Sequence, residues 1–285
     1  MEIPMDIAEL YQKAEAYHQQ GDVYNAVKLC KRIIKSVPEW HLPYALLGNL
    51  YKYQRDWKAT LHYNKKTVAL NASDQTAWWN IGIAATALKK ERIKKNVWNK
   101  FGLEDNNQKL PKLKSIRISF GKQFDILWVR PIDPVRGIIE SIPSPASERR
   151  FRDVVLIDGA VAGYNVVKQK KYPVYEELGV FKRSHYRTFS CQIYIQQTED
   201  IASLEKLCQE ADLGFENWSN LTRVFVPRLE YTLPEYYGKD MMPLAANLQA
   251  LHIAIAAPTL QEAEMVLRSW QVISLGYFGY LSTHL

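Results

Sequence analysis

A period of 34 residues runs through the first hundred positions of this chain and constrains its fold more than any other feature. Tyr44, Leu47, Gly48 and Tyr51 return one period on as Trp78, Ile81, Gly82 and Ala85, and one period back as Leu10, Lys13, Ala14 and Tyr17. In each set the spacing places the side chains on one face of a helix. A repeat of this length is a helix–turn–helix unit that cannot bury its apolar face alone, so successive units must stack. Within a unit the large aromatic fills the gap between hairpins, and the Gly or Ala lets two helices approach closely. The second helix of the first unit carries Ala26 and is closed by Pro38, which cannot continue a helix; the second unit has Thr60 and Ala72 at those places. Gly102, after Trp98 and Phe101, reads as the residue that ends the last helix.

The pattern resembles the tetratricopeptide repeat (TPR) family over about residues 7–102, with Lys13 and Lys94 as departures in the terminal units. The resemblance implies a curved stack whose concave face is lined by the first helix of each hairpin. Projecting the register places Tyr11, Glu15 and His18 there from the first unit. The second gives Ala45, Asn49, Lys52 and Tyr53, and the third Thr76, Trp79, Asn80 and Ile83. TPR domains that grip a C-terminal carboxylate do so with Lys, Asn and Arg. The corresponding slots here hold Tyr11, Glu15, Leu46, Thr76 and Asn80, so that clamp is missing and binding of chaperone tails is disfavoured.

Beyond a polar linker at 103–115 the period changes from helical to alternating, with Ile116, Ile118 and Phe120 set against Arg117 and Ser119. Further strands are expected at Phe124–Val129, Gly137–Ile142, Phe151–Ile157 and Val161–Val167, with Asp158-Gly159 as a turn. They suggest a small barrel or a strongly bent sheet over 116–183. From 184 to 285 two β-α-β units are expected. The first runs from a strand at Phe189–Gln196 through a helix with Ile201, Leu204, Leu207 and Cys208 to a strand at Leu221–Val226. The second runs from Leu248–Ala256 through a helix opened by the capping box Thr259-Leu260-Gln261-Glu262 to Tyr277–Leu281. Two such units resemble a ferredoxin-like sandwich. The expected fold class is therefore α+β multidomain, with domains at 1–102, 116–183 and 184–285.

Charge is concentrated in one place. Between Leu88 and Arg117 ten basic residues face three acids, which accounts for the whole formal charge of +7. Lys89, Lys90, Arg92, Lys94 and Lys95 form its densest part. An acidic protein is one partner for such a face, and the phosphates of a nucleic acid are another. A second polar set, Arg130, Asp133, Arg136, Arg149, Arg150 and Asp153, is a candidate anion or partner contact, with local salt bridges as the alternative.

Several classes of function are disfavoured. The apolar stretches are strand-sized, far short of the roughly 20 residues that span a bilayer, so no membrane segment is expected. The opening Met-Glu-Ile-Pro-Met-Asp has neither a basic nor an apolar signal region, and a cytoplasmic location is expected. The six histidines form no metal-ligand spacing, and no phosphate loop, dinucleotide fingerprint or nucleophile elbow occurs. No cofactor or metal is expected. Cys30, Cys191 and Cys208 read as buried reduced thiols; Cys191 and His252 would meet only if their strands were neighbours. The segments Ile132–Gly137, Asp153–Gly159 and Tyr172–Leu178, after TPR units, resemble a little-characterised group of bacterial TPR proteins, some encoded near toxin and secretion genes. The function expected is a non-catalytic adaptor or scaffold for a protein partner, with toxin neutralisation as a sharper version. The alternative is nucleic-acid binding through residues 88–117 and the β module.

Overall fold

A computed structural model describes residues 3–103, 111–167, 169–220, 224–227, 249–274 and 276–284. The chain divides into two compact units, Met1–Lys109 and Leu110–Leu285. Most of the expected linker, and the first part of the strand expected at Leu221–Val226, lie outside the described residues.

In the first unit the period becomes three helical hairpins: α1 (Met5–Gln19) with α2 (Val23–Ser36), α3 (His41–Tyr53) with α4 (Trp57–Leu70), and α5 (Gln75–Ala87) with α6 (Glu91–Lys100). Three stacked hairpins are the arrangement that the TPR-like period implies, and repeat positions recur in the same physical role. The aromatic that opens the motif reaches back to the carbonyl six residues earlier. Tyr44 Oη donates to Pro38 O at 3.0 Å, and Trp78 Nε1 to Ala72 O at 2.9 Å. The small residue marks where the two helices of a hairpin touch. A Cβ on Gly48 would come within 2.3 Å of Asn64, and one on Gly82 within 2.3 Å of the Trp98 ring. In the first hairpin the equivalent pair is Ala14 and Cys30, both fully buried in one cluster.

The turns repeat as strictly as the helices. Each has one residue in the left-handed region, Gly21 at φ 79°, Arg55 at 61° and Lys89 at 55°, spaced by the same period. Only glycine takes this conformation freely; other residues pay about 1–2 kcal/mol. The next residue caps the second helix. Asp22 accepts from Asn25 N at 3.1 Å and Asp56 from Ala59 N at 3.0 Å, whereas Lys90 has no acceptor to offer. The geometry of the third turn is thus imposed by packing, and its local chemistry no longer supports it.

The second unit holds two sheets. Strands β1 (Lys114–Phe120), β2 (Gln123–Asp133), β3 (Arg136–Ile139), β4 (Val154–Val167) and β5 (Lys170–Lys182) pair in succession, and β5 returns to β1. The five strands form a closed barrel. In a meander of five the first and last run the same way, so the closing pair is parallel while the rest are antiparallel. Ile116, Ile118, Leu127, Val129, Ile139, Val155 and Ile157 form its buried core. Two expectations change here. Asp158-Gly159 is not a turn between strands: β4 runs through it with register shifts and carries a bend that helps close the barrel. Bulges and turns favour the same residues, which is why the pair was misleading. The strand β5 was not among those expected; its Pro173, which has no N–H to give a ladder, sits just outside the three positions, Val174 to Glu176, that pair with β1.

The other sheet follows from β6 (Arg187–Ile195), α7 (Glu199–Glu210), β7 (Gly214–Asn217), β8 (Val224–Pro227), β9 (Gln249–Ala257), α8 (Leu260–Ile273), β10 (Tyr277–Phe278) and β11 (Ser282–His284). Its order is β10-β6-β9-β7 with every neighbour antiparallel, and β11 adds to β6. Two interleaved β-α-β units give this ferredoxin-like order. The return strand of the first unit is β7, not the segment near 221–226; that segment supplies β8, which pairs with Gly163–Val166 of β4 in the barrel sheet. The capping box at Thr259 and Glu262 forms as expected. Leu204, Cys208, Ala263, Leu267 and Trp270 of the two helices share a buried core with Phe189, Ile193, Ile253 and Ile255 of the strands.

A division at residue 183 is not visible, since both sheets belong to one unit. The joint is built on Asp153, fully buried, which accepts from Ser184 N at 2.7 Å, Arg150 N at 3.0 Å and Arg183 Nη1 at 3.1 Å. Ser184 Oγ donates to Phe151 O at 2.6 Å, and the Phe151 ring joins the core of the ferredoxin-like sheet. Asp153→Ala leaves two backbone donors without acceptors and is expected to cost about 3 kcal/mol in urea unfolding. Lys90→Asp is expected to raise stability by about 1 kcal/mol in the same measurement by restoring the missing cap.

Candidate protein-binding surface

The groove projected from the repeat register is only partly open. Lys52, Asn80 and Ile83 are 3%, 2% and 0% exposed, so these three are not available to a ligand. Asn80 instead lies against Asn64, with Nδ2 and Oδ1 3.5 Å apart. Trp79 packs into the third hairpin, its ring 5.1 Å from Trp98 and 5.3 Å from Phe101. The reason is legible in α5 itself: Gln75–Ala87 carries no charged side chain, and its stretch from Asn80 to Thr86 is buried throughout.

What remains accessible lies mainly on the first two hairpins. Tyr53 is 49% exposed, Thr76 is exposed, and Tyr11, Glu15, His18 and Asn49 are half-buried. The Tyr11 ring stands 5.0 Å from Trp40, which fixes its direction. Burial raises the Tyr11 hydroxyl above its ordinary range, and the charge of Glu15, its hydrogen-bond partner, raises it further. Tyr11 therefore stays a neutral phenol. Of the clamp slots, Leu46 and Asn80 are buried as well.

The basic face is real but smaller than its sequence. Lys89, Lys90, Arg92 and Lys95 are exposed, whereas Lys94 is 8% exposed, with Nζ 2.7 Å from Glu91 Oε2. Lys94 is thus a packed residue of α6. Lys100 adds its ammonium to the face while lying over Trp78, 4.8 Å from the ring centroid.

The arginine set resolves into separate structural pairs. Arg130 bonds Glu140 at 2.8 Å, and Arg136 bonds Asp133 at 2.6 Å while Asp133 caps the β2–β3 turn by accepting from Val135 N and Arg136 N. Arg149 makes a two-pronged contact with Glu177 at 3.0 and 3.3 Å, and Arg150 donates to Ser184 O. Arg149, Arg150 and Asp153 do converge, but on each other's loop and on the barrel wall rather than on an open anion site.

The cysteine readings are decided by register. β6 and β9 are neighbours, yet Cys191 pairs with Ile253 and Gln192 with His252. Successive side chains point to opposite faces, so Cys191 enters the helix-covered core while His252 faces away from it. The pair anticipated as a remote alternative cannot form. A pairing that spacing did not reveal is Ser190 Oγ with His284 Nε2 at 2.8 Å, brought together from positions 94 apart by β11. Among the described residues no group of three His, Cys, Asp or Glu side chains is arranged to hold a metal ion, and no helix is long and apolar enough to cross a membrane.

No family model matches the chain, and no curated protein does. Solved structures do resemble parts of it. The N-terminal third is similar to the first TPR of Spaghetti (RPAP3) bound to the HSP90 peptide SRMEEVD, at 24% identity and a TM-score of 0.32, covering 35% of this chain and 81% of that one. It is similar to a mutant O-GlcNAc transferase of Thermobaculum terrenum at 20% identity and a TM-score of 0.31, covering 34% of this chain and 19% of that one. A hypothetical protein from Neisseria gonorrhoeae is aligned over 61% of this chain and 95% of its own, at 9% identity and a TM-score of 0.26.

Burial pushes the thiols of Cys30, Cys191 and Cys208 up to about 12 from 9.0. A thiol is nucleophilic only as the thiolate, so all three are expected to react with a thiol reagent at neutral pH only after unfolding. The same shift sets a pH dependence. Above about pH 9 the unfolded chain loses protons that the folded chain keeps, so this contribution to stability is complete below pH 9 and is lost as pH rises toward 12. Urea midpoints measured across that range check the sign.

Proposed function

We propose that this protein is a non-catalytic binder of another protein, which it holds on the accessible part of the TPR array. The observation that carries this reading is the pattern of exposure on the first helices of two adjacent hairpins. Glu15 and Asn49 occupy equivalent repeat positions, and Tyr11, His18 and Tyr53 flank them. A half-exposed tyrosine beside hydrogen-bonding groups on a rigid helix pair suits a protein anchor, because it adds contact area at small entropic cost.

The finer reading is an acidic partner, and a toxin held inactive is one such case. The exposed Lys89, Lys90, Arg92, Lys95 and Lys100 support it, since they lie on one short helix and the turn before it. Complementary charge of this kind speeds encounter and weakens with salt. The same face supports nucleic-acid binding as a second reading. The reading keeps the cytoplasmic location expected from the sequence.

The test starts from a partner captured from native lysate, identified, and purified. Tyr53→Ala is expected to weaken its binding by about tenfold, the loss of a typical interface anchor. Lys95→Glu is expected to slow association more than it speeds dissociation. A purified partner that binds both variants as tightly as the unsubstituted chain sinks the proposal. A steeply salt-dependent fluorescence anisotropy signal with DNA or RNA, without a protein partner, favours the second reading.

A further inference from the structure

One lysine of the barrel is held differently from the exposed basic residues around it. Lys114, the first residue of β1, pairs with Val129 of β2 and lies on the same side of its strand as Ile116 and Ile118, which line the barrel core. Its stem therefore turns inward at the end of the barrel, and its ammonium stands 5.3 Å from the centroid of the Tyr175 ring. Half-buried there, Lys114 makes no hydrogen bond or ion pair among the described residues. Burial lowers its pKa from the ordinary lysine range, and the charge of Asp133 offsets this only in part. Asp133 cannot do more, because Oδ1 accepts from Val135 N and Arg136 N, and Oδ2 from Arg136 Nε at 2.6 Å. The ring satisfies one side of the ammonium. Its N–H groups still lack an acceptor, and a partly desolvated cation without one is costly.

The surroundings decide which acceptor fits. Lys170 and Lys171 of β5 pair with Val167 and Val166 of β4 at the same end of the barrel, and Lys112 precedes β1 there; all three lysines are exposed. The other charges of that end cancel, Arg136 against Asp133 and Arg130 against Glu140, so Lys112, Lys114 and Lys170 set the sign of its field. Tyr164, 37% exposed, and its strand partner Pro173, also exposed, present apolar surface beside them. The Tyr164 hydroxyl is near enough to raise that of Tyr175, which links this surface to the ring under Lys114. A group with one negative charge suits the place better than a dianion, since Asp133 opposes a second charge. Stacking of successive bases calls for several open rings. Here Trp128 and Tyr172 are turned onto each other at 5.1 Å, which favours a peptide over a nucleic acid.

We infer that the end of the barrel around Lys114 binds an acidic segment of a protein partner, with one aspartate or glutamate carboxylate on the Lys114 ammonium. Lys112 and Lys170 meet neighbouring carboxylates, and Tyr164 and Pro173 carry the apolar stems. The inference rests on the reading of an acidic protein partner given above and adds a second contact, on the barrel.

The experiment uses the full chain and hexaglutamate as probe, at low ionic strength. Brief acetylation with an N-hydroxysuccinimide ester, followed by mass spectrometry, reads each lysine separately. An opposite charge in contact raises an amine pKa by about one unit, so acetylation of Lys114 is expected to slow about tenfold with saturating probe. Lys206, exposed beside Glu210 on α7, is expected to keep its rate. Lys114→Gln is expected to weaken binding of fluorescent hexaglutamate about tenfold, the weight of one hydrogen bond to a charged group, and Lys114→Arg to retain it. Both are compared in a Lys95→Glu background, which disables the basic face of α6 and is expected to leave protection of Lys114 unchanged. Undiminished acetylation of Lys114 with hexaglutamate, unchanged binding in Lys114→Gln, or stronger protection by octathymidylate than by hexaglutamate would each overturn the inference, the last in favour of nucleic acid. A captured acidic partner that binds without protecting Lys114 sinks this inference alone and leaves the reading it rests on standing.

Discussion

Asp153 carries more of the architecture of residues 110–285 than any other side chain. A carboxylate with no exposure to water must satisfy its oxygens within the protein, and this one does so with backbone N–H groups from both sides of the junction, plus one guanidinium. That demand fixes the loop before β4 against the link between β5 and β6. Once the loop is fixed, Phe151 is delivered into the core of the neighbouring sheet and Arg152 onto Asp212 at the end of α7. The barrel and the ferredoxin-like sheet are thereby joined within one compact unit.

The N-terminal unit rests on a different constraint, the contact between the two helices of each hairpin. Ala14 against Cys30, Gly48 against Asn64 and Gly82 against Trp98 fill the same place with partners of growing size. As the partner enlarges, the residue opposite cannot keep its Cβ. The turns show the reverse: geometry is retained while Gly-Asp becomes Arg-Asp and then Lys-Lys. Packing holds the third turn in a conformation its own residues do not favour, and that leaves two lysines exposed at the edge of a basic helix. The exposed basic surface is in part a consequence of this relaxed local chemistry.

Function follows from what these constraints leave accessible. The inner residues of α5 are taken up by packing, so the accessible residues of the first helices lie mostly on the first two hairpins. The arginines that sequence spacing grouped as an anion site are each committed to a carboxylate or a carbonyl, which stiffens the barrel and removes them from recognition. Cys191 and His252, one register step apart on paired strands, are kept on opposite faces by the pleat. What is left over is specific: an exposed tyrosine and the exposed basic side chains of α6 and the turn before it.

The sequence by itself determined the helical repeat, its period, the close contacts at Gly48 and Gly82, the capping box at Thr259 and the two β-α-β units, because each depends on residues within a few turns or on a strict repeat. It left open whether the strands made a barrel or a bent sheet, it misread Asp158-Gly159 and the partner of β8, and it did not reveal β5. Those depend on which strands lie side by side. The same limit held at the candidate site. Asn49 and Ile83 occupy equivalent repeat positions, yet Asn49 is half-buried and Ile83 fully buried, through what packs against them. Asp153 gathers Arg150, Arg183 and Ser184 from segments with no common motif. Tertiary structure alone decided these, since burial and charge balance are sums over neighbours that are distant in the chain.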